Sequence, residues 1–327
     1  MSKFITNQVV ENNPIDHPAV KFWRELGSDR VEPEAIVILK ERRKKKKGKS
    51  AVYRLEGVGP AGTGVIAKRC QRATATKERT IYEDILPRLP VPALGYFGFI
   101  EEPNSNFCWL FLEDAGGEAY LPQVEGHRTA AAQWLGLMHI SAAQIAGELN
   151  LPDHGPSHYQ NRLRHAREKI LGNLSNPALN NEDLTVLESI ISLSSVLEPC
   201  WQEVEGFCQR FPRTLVHGDF VTKNVRFRNG SGAAVVVPFD WETAGWGVPA
   251  TDLRLLDLST YWSAIQSAWS KVSIQDIQRL ANIGELFTCL DSISWSSQWL
   301  EFQWVERAMR HMRSYESQLA VLVRTAE

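Results

Sequence analysis

The sequence has few of the features that reveal a membrane, secreted or metal-binding protein. No apolar run reaches the roughly 18 residues that a membrane-spanning helix needs, and the opening residues MSKFITNQVVENNP include no apolar segment of the signal-peptide kind. Cysteine is scarce, with five scattered residues and no CxxC or Cys/His spacing of the kind that binds a metal. We therefore expect a cytoplasmic protein without membrane contact, whose cysteines are ordinary core or surface residues.

A strong charge of either sign is also absent, since the formal net charge is −2. Residues 1–116 contain 19 lysines and arginines against 15 acidic residues, whereas the rest of the chain contains 17 against 23. This asymmetry suits an anionic ligand held by the first part and a cationic ligand held by the second, or else ordinary solvated surfaces. The single lysine run has no interleaved aromatic residues, so nucleic acid is not an expected partner.

The composition is that of a globular protein, with 327 residues that are 43% hydrophobic and 23% charged, enough for one large or two ordinary domains. Three short apolar runs in the first part predict an antiparallel meander of strands at Ala35–Leu39, Ala51–Gly57 and Val65–Cys70. The following run ATKERTIYEDIL predicts a helix that ends at Pro87 and Pro90.

The rest of the chain is predicted to be mostly helical from about His127, because apolar residues recur at intervals of three and four. We expect His139, within the first of these helices, to be a core or interlobe histidine rather than a ligand. The tail Leu253–Glu327 is helical in pattern and rich in tryptophan, and such side chains lie more often in a core than in a site. A small sheet followed by many helices predicts an α+β fold.

Lys68 lies between apolar neighbours in the third predicted strand, VIAKR. Alternation along a strand places it on the same face as Ile66, where it can reach the phosphates of a nucleotide or simply face solvent. A buried lysine needs a carboxylate partner, and Glu78 on the following helix is the candidate because it lies one turn before Tyr82. Glu83 is the competitor, which we expect to face solvent.

The most basic segment is the loop Lys44–Ser50. One interpretation is a flap over a polyphosphate, in which Gly48 permits close backbone approach and the lysines supply a positive field, with Gly48 and Ser50 as candidate nucleotide-binding residues. The alternative is a solvated hairpin tip, and the charges alone leave both open. The loop is not a Walker A motif, because no GxxxxGK[ST] sequence precedes a helix.

An apolar strand, FCWLFLEDAGG, ends abruptly in an acidic and glycine-rich segment. The glycine pair and the change from predicted strands to predicted helices indicate a hinge between two lobes at about 112–117. The backbone of such a hinge can hydrogen-bond a flat heteroaromatic ring. The lobes are then predicted as 1–116 and 117–327.

The stretch Leu215–Asp252 carries the clearest chemical signal. Two β-branched runs flank the turn-forming residues Asn229–Gly232, which predicts a β-hairpin. At its open end lie His217-Gly218-Asp219 and Asn224, and Asp240 directly follows the second strand. Two acids and an amide should therefore converge.

Phosphoryl transfer needs positioned phosphates, a metal ion and a carboxylate aimed at the incoming hydroxyl group. Asp219 can accept or orient a hydroxyl proton, while Asn224 and Asp240 offer the hard oxygen ligands that Mg²⁺ prefers. His217 is predicted to fix the loop through a backbone hydrogen bond rather than to transfer protons. The order and spacing of HGDxxxxN, hairpin and FDWE make the combination specific.

These motifs resemble those of the aminoglycoside phosphotransferase and choline kinase-like enzymes, which share the bilobal protein-kinase-like fold. By that resemblance Asp219 is the catalytic Asp, Asn224 and Asp240 bind the metal, and His217 completes the HxDxxxxN motif. The later Asp252 in GWGVPATDL corresponds to an acid that supports the catalytic loop. The resemblance spans roughly residues 35–260.

The resemblance also assigns roles in the first part of the chain. Lys68 corresponds to the strand lysine that anchors ATP and Glu78 to its helix partner, while Leu112–Ala115, with Glu113 and Ala115, corresponds to the hinge that grips adenine. Residues 1–116 are then the nucleotide-binding lobe and 117–327 the catalytic and acceptor-binding lobe. The phosphate loop departs from the family pattern, because a lysine run replaces several glycines.

The resemblance implies an enzyme that uses ATP and Mg²⁺ to phosphorylate a hydroxyl of a small molecule, of the aminoglycoside, amino sugar or amino alcohol type. Gly218, where protein kinases usually carry an arginine, favours a small-molecule acceptor over a protein. One alternative is a kinase-like binding or scaffold protein without turnover. Another is a metal-dependent phosphohydrolase using Asp219 and Asp240, which would require more ligands than the region offers.

Overall fold

A computed structural model describes residues 8–11, 16–41, 50–145, 150–229 and 234–326 of the chain. The lysine run at 44–47 and Gly48 lie outside the described residues, as do residues 230–232 of the predicted hairpin turn. The role assigned to the basic loop therefore stays a prediction. Ser50 is described, and it is exposed immediately before a strand.

The first part of the described chain forms short strands with two helices between them. In chain order these elements are β1 (Gln8–Glu11), α1 (Pro18–Glu25), β2 (Ile36–Glu41), β3 (Ala51–Leu55), β4 (Val65–Gln71), α2 (Arg72–Thr80), β5 (Tyr96–Glu101), β6 (Phe107–Glu113) and β7 (Glu118–Ala119). The three predicted strands and the predicted helix are confirmed with small shifts in their bounds. Helix α2 continues into a π-helical turn, Ile81–Ile85, just before Pro87.

The later part of the described chain is mainly helical, as predicted. Its elements are α3 (Glu125–Ala142), β8 (Asp153–His154), α4 (Pro156–Leu171), α5 (Asn181–Leu197), α6 (Trp201–Cys208), β9 (Thr214–Val216), β10 (Val225–Asn229), β11 (Ala234–Pro238), β12 (Gly245–Gly247), α7 (Leu258–Ile265), α8 (Ile274–Ser297) and α9 (Glu306–Ala326). The predicted hairpin is confirmed, since β10 pairs antiparallel with β11 from Val225 opposite Pro238 to Asn229 opposite Ala234.

The chain divides into two compact units, each built from two segments. The first unit comprises Met1–Leu121 with Phe220–Thr243, and the second comprises Pro122–Asp219 with Ala244–Glu327. The predicted lobes 1–116 and 117–327 follow chain order, whereas the compact units do not. The hairpin belongs to the first unit because β10 also pairs with β7, just after the predicted hinge.

The first unit contains a sheet with strand order β1-β2-β3-β4-β6-β5, in which all neighbouring strands are antiparallel. Alternation along β4 buries Val65 and Ala67 with α1 on one face. On the opposite face Cys70 packs with Ala75 of α2. Lys68 alternates with Ala67 and so belongs to the face covered by α2, as the sequence pattern predicts.

An aromatic cluster fixes the α1 side of this sheet. Trp23 of α1, Tyr53 of β3, and Trp109 and Phe111 of β6 are buried, with neighbouring ring centroids 5.5–6.4 Å apart. Burial of each such side chain stabilises the fold by about 1.5–3 kcal/mol. The cluster gives β4 a rigid support.

The second unit is mainly helical and holds one small sheet with strand order β8-β12-β9. Helix α8 starts at a capping box, in which Ser273 and Asp276 bind each other's backbone N–H groups. Its Gly284 lies against the turn Pro249–Leu253, and a Cβ atom there would stand 2.0 Å from the carbonyl oxygen of Ala250. Only glycine permits α8 to lie directly on the turn that carries Asp252.

The tryptophans of the tail only partly follow expectation. Trp269 is buried, but the prediction of a core position is wrong for Trp295, Trp299 and Trp304, which are 50%, 41% and 59% exposed. These three lie at the end of α8 and in the turn after it, where helical spacing no longer decides which side chains are covered. No single helix in the described part of the chain is long and apolar enough to cross a membrane, although α5 and α6 together, bent by 60°, pass that test of length and composition.

Candidate active site

The first unit brings Lys68 and Glu78 together as an ion pair. The Nζ atom of Lys68 lies 2.6 Å from Oε1 of Glu78, so the predicted pairing is confirmed. The Glu78 side chain is fully buried and that of Lys68 nearly so, while the competitor Glu83 is exposed and pairs with Arg79. Glu78 can reach β4 because the chain turns from β4 directly into α2.

Asp240 is the second carboxylate at this lysine. Its Oδ1 atom lies 2.5 Å from Nζ of Lys68. Asp240 has a φ of +63°, a left-handed backbone that residues other than glycine adopt at a cost of about 1–3 kcal/mol and that clusters at functional sites. Asp240 lies two residues after the end of β11, and its carboxylate reaches Lys68 of β4.

The protonation states at this triad follow from burial and charge. Burial alone would lower the pKa of Lys68, but the carboxylates of Glu78 and Asp240 outweigh it and hold the pKa well above its usual value. Burial also raises the pKa of Glu78 above the ordinary value of a glutamate, although Lys68 opposes that shift. The lysine is therefore a permanent cation with two acidic neighbours.

Helix α2 is also tied to the segment that follows Asp240. The Nζ atom of Lys77 donates to the backbone carbonyl of Glu242 at 2.5 Å. Burial lowers the pKa of Lys77, because the side chain lies between the helix and this turn. A displacement of α2 would therefore move Glu78 and the Asp240 segment together.

Asn224 lies in the turn before β10 and is buried. Its backbone carbonyl accepts a hydrogen bond of 2.9 Å from the N–H of Phe239, so the start of β10 lies beside the residue that precedes Asp240. An amide oxygen and a carboxylate suit Mg²⁺, which usually takes one or two protein ligands and completes its shell with phosphates and water. The described residues hold no cluster of three or more His, Cys, Asp or Glu side chains that could bind a metal. The assignment of Asn224 and Asp240 as metal ligands stays a prediction.

The predicted hinge segment is held by an arginine that the sequence pattern did not single out. Arg228 of β10 donates from Nε to the carbonyl of Ala115 (2.5 Å), from Nη1 to Oε1 of Glu113 (2.6 Å) and from Nη2 to the carbonyl of Asp114 (2.6 Å). Gly117 then passes so close to β10 that a Cβ would stand 2.2 Å from the carbonyl oxygen of Phe227. No signal in one sequence links positions 113 and 228, because strand pairing across a long insertion leaves no periodic trace.

The second unit holds the loop of Asp219. The His217 side chain is fully buried, and its Nδ1 atom accepts a hydrogen bond of 3.3 Å from the backbone N–H of Asp219. The predicted structural role of His217 is thus confirmed as a contact, while a catalytic role stays a prediction. Gly218 between them has a φ of +76°, in the region that favours glycine.

Asp252 supports this loop through its backbone. The Oδ2 atom accepts the N–H of His217 and Oδ1 accepts the N–H of Gly218, both at 2.8 Å. Burial would raise the pKa of Asp252, but hydrogen bonds and the neighbouring histidines His139 and His217 lower it below the ordinary value. The carboxylate is thus a buried anion with its acceptor sites filled, as the resemblance implied for this residue.

A chain of buried polar side chains continues from Asp252. His139 Nε2 lies 3.3 Å from Oδ2 of Asp252, and His139 Nδ1 lies 2.8 Å from the hydroxyl oxygen of Tyr261. The hydroxyl of Thr214 in β9 donates to the carbonyl of His139 at 2.8 Å. His139 is a core histidine, as predicted, but the sequence pattern missed Tyr261 and Thr214 because their partners lie on other elements.

The predicted site residues thus form two groups, each within one unit. The first unit brings together Lys68, Glu78 and Asp240, with Asn224 beside them and Glu113 and Ala115 in the clamped hinge segment. The second unit brings together His217, Asp219 and Asp252. Gly48 lies outside the described residues, and the roles of all these side chains in catalysis or binding stay predictions.

Comparisons with known structures agree with this architecture. An aminoglycoside 2'-phosphotransferase IIIa, a point mutant in complex with GDP, matches with 13% identity over 96% of this chain and 100% of its own, with a TM-score of 0.64. The choline kinase of Cryptosporidium parvum matches with 14% identity over 89% and 90%, with a TM-score of 0.57. An aminoglycoside phosphotransferase bound to ADP and hygromycin B matches with 14% identity over 94% and 98%, with a TM-score of 0.56. At these identities the likeness establishes the fold, and the predicted protein-kinase-like α+β fold is confirmed.

Comparison of the sequence with known families identifies the family as well as the fold. No curated protein matches the chain. The sequence model of the phosphotransferase enzyme family matches residues 46–281, which is most of the chain and includes the hinge, the Asp219 loop and the hairpin. The predicted family and the predicted class of small-molecule kinase are confirmed, and the chain belongs to the phosphotransferase enzyme family.

Proposed function

We propose that the protein transfers the γ-phosphate of ATP to a hydroxyl group of a small molecule of the aminoglycoside, amino sugar or amino alcohol type. The observation that carries this proposal is the position of Lys68, whose ammonium group bridges Glu78 at 2.6 Å and Asp240 at 2.5 Å. A permanently charged lysine held beside a carboxylate that can bind a metal provides charge where phosphates must be positioned.

Each residue then has one task. Lys68 binds phosphate oxygens, and the ion pair with Glu78 of α2 holds its ammonium group in position. Asn224 and Asp240 would hold Mg²⁺, and the ion would supply positive charge against the charge that develops on the phosphates. Asp219 accepts the proton of the acceptor hydroxyl group. The hydroxyl oxygen then bonds to the γ-phosphorus of ATP while the bond between that phosphorus and the leaving oxygen of ADP breaks. His217 and Asp252 hold the backbone of that loop in place.

The acceptor class rests on the family and on the proteins of the same fold. Their names include aminoglycoside phosphotransferases and a choline kinase, and both aminoglycosides and choline are amino compounds. The acidic balance of residues 117–327 agrees with a cationic acceptor. A cytoplasmic location belongs to the same proposal, because the reaction uses ATP and all five cysteines are free thiols.

The test is an assay of ADP release with ATP and Mg²⁺ against a panel of amino sugars, aminoglycosides and hydroxylated amines. We expect at least one acceptor to raise ADP release well above the rate without acceptor, and the product to carry a phosphate ester. Asp219→Asn is the matched control, because it keeps the shape of the side chain and removes its ability to accept the proton.

Two outcomes would contradict the proposal. One is ATP binding without acceptor-dependent ADP release across the panel, with the Asp219→Asn variant indistinguishable from the wild type, which would favour a kinase-like binding protein. The other is release of inorganic phosphate without a phosphorylated acceptor, which would favour a hydrolase.

A further inference from the structure

The Arg228 side chain makes an unusual set of contacts for a strand residue. Each of three different guanidinium nitrogens binds a different acceptor of the segment Glu113–Ala115, at 2.5–2.6 Å. Two acceptors are backbone carbonyls and the third is a carboxylate. A guanidinium group is a rigid planar fork, so three simultaneous bonds fix the orientation of the backbone and not merely its position.

The carboxylate of Glu113 extends this clamp to the next strand. Its Oε1 atom binds Arg228, while its Oε2 atom accepts the N–H of Gly95 at 2.9 Å. The backbone of Glu113 also donates to the carbonyl of Gly95 at 2.8 Å. The predicted hinge segment is therefore bound from two sides, by β10 and by the residue that precedes β5.

One backbone donor among residues 113–116 is left over. The N–H of Glu113 binds the carbonyl of Gly95, that of Asp114 binds the carbonyl of Gly64, and that of Gly116 binds Oδ1 of Asp114. Within the described residues the N–H of Ala115 has no acceptor, although Ala115 is buried. A donor without an acceptor costs about 1–3 kcal/mol where water does not reach it, and a ligand can supply the acceptor.

The strand that bears Arg228 also leads to the predicted metal ligands. Asn224 precedes β10, and Arg228 lies four residues further on, about 13 Å along an extended strand. One short strand thus carries a predicted ligand for Mg²⁺ at its start and the clamp on the hinge near its end. The adenine side and the phosphate side of a nucleotide would be held in fixed register.

We propose that Arg228 is a positioning residue of the nucleotide site. Its guanidinium group fixes the backbone of Glu113–Ala115 so that the N–H of Ala115 is presented to a ring nitrogen of adenine. This inference rests on the proposed use of ATP. Different residues then determine binding of the two ends of the nucleotide: Arg228 affects binding of the base, and Lys68 affects binding of the phosphates.

The test compares binding of MgATP with binding of magnesium tripolyphosphate, which lacks the base. The variants are Arg228→Lys, which keeps the charge but not the fork, and Arg228→Ala. Arg69→Ala is the matched control, since Arg69 is a part-buried arginine of the same unit that pairs with Glu102 and stacks on Phe107. Calorimetry gives the two dissociation constants for each protein.

We expect both Arg228 variants to bind MgATP about tenfold more weakly than the wild type, because the Ala115 donor is no longer held in place. Their affinity for magnesium tripolyphosphate should be unchanged, and Arg69→Ala should retain both affinities. Hydrogen exchange of the segment 113–117 should be faster in the Arg228 variants than in the wild type and in Arg69→Ala. Arg228→Lys keeps the comparison decisive if Arg228→Ala does not fold.

The inference is overturned if the Arg228 variants bind MgATP like the wild type, or if they lose affinity for both compounds equally. These results leave the proposed function standing, provided that the wild type binds MgATP and releases ADP. If the wild type itself binds no MgATP, the proposed function fails and the inference fails with it. Hydrogen exchange then still reports whether Arg228 holds the segment.

Discussion

The two compact units secure their predicted catalytic groups in different ways. In the first unit, side-chain charges hold one another, as Lys68 does with Glu78 and Asp240. In the second unit, one buried carboxylate holds a loop by its backbone, as Asp252 does with His217 and Gly218. The first arrangement leaves the cation of Lys68 and the carboxylate of Asp240 available to a ligand. In the second arrangement the carboxylate of Asp252 binds the backbone of the loop.

This difference predicts different consequences of substitution. Substitution in the ion pairs of the first unit should lower ligand affinity as well as stability, since loss of one partner leaves the other charge buried and uncompensated. Removal of a carboxylate that binds backbone donors should act mainly on folding, because the buried N–H groups of the loop are left without an acceptor. Substitution of Asp219, the proposed proton acceptor, should change turnover more than stability or MgATP affinity.

The largest expected effect is that of Asp219→Ala on turnover. Loss of a group that accepts the hydroxyl proton should lower kcat by about 10³-fold while the dissociation constant for MgATP stays within twofold of wild type. Single-turnover kinetics and calorimetry measure the two quantities. Near-normal turnover in this variant would show that another group takes the proton.

Asp252→Ala should lower the free energy of unfolding by about 3 kcal/mol, because two buried N–H groups lose their acceptor. Urea denaturation measures this loss, and Asp252→Asn, which retains one acceptor oxygen, should be less harmful. A loss below 1 kcal/mol would mean that the loop does not depend on this carboxylate.

The pH dependence of stability gives an independent check on Asp252. Its pKa is lowered from 3.8 in the folded protein, so the folded state binds fewer protons than the unfolded state between the two values. The contribution of Asp252 is therefore present above pH 3.8 and is lost as the pH falls through the folded pKa. Asp252→Asn should make stability fall less steeply over that range than in the wild type.

Lys68→Met should weaken MgATP binding by about tenfold and should lower the free energy of unfolding by about 3 kcal/mol, because the buried carboxylate of Glu78 loses its partner. Burial already raises the pKa of Glu78, so this carboxyl group can take up a proton when its partner is removed. Calorimetry and thermal denaturation measure the two effects. A strong loss of stability with normal MgATP affinity would reverse the comparison between the two units.

The smallest expected effect is that of Tyr261→Phe, which removes the hydroxyl that lies 2.8 Å from His139. Loss of one neutral hydrogen bond should cost about 1 kcal/mol in unfolding free energy and should lower kcat only slightly. An equal substitution at Tyr120, a buried tyrosine of the first unit, serves as the control for general packing effects. A fall in kcat of more than about tenfold, with a loss of only about 1 kcal/mol in unfolding free energy, would show that the contacts from Tyr261 through His139 to Asp252 affect the Asp219 loop directly.

Local patterns predicted much of the first unit. Alternation along β4 placed Lys68 on the same face as Ile66, and the position of Glu78 one turn before Tyr82 made it the candidate partner. Both inferences depend on residues close in sequence, where helix and strand geometry leave little freedom. Asp252 was also identified, but by resemblance of motif and not by any local pattern.

What the sequence could not provide were contacts across long separations. The pairing of β10 with β7 assigned the hairpin to the first unit, and Arg228 reached the hinge by the same route. The exposure of Trp295 was missed for a related reason, because a single sequence does not say which surface another element covers. The π-helical turn at Ile81–Ile85 left no mark in the apolar spacing either.

The passage of the chain back into the first unit at Phe220 has a consequence for biosynthesis. A ribosome that has released only residues 1–121 has made Lys68, Glu78 and the hinge, but not the strand that clamps the hinge or the carboxylate opposite the lysine. Nearly a hundred residues of the second unit must emerge before β10 can dock. The nucleotide site is therefore one of the later parts of the molecule to mature, and a fragment cut after the hinge would carry a lysine and a glutamate without the rest of the site.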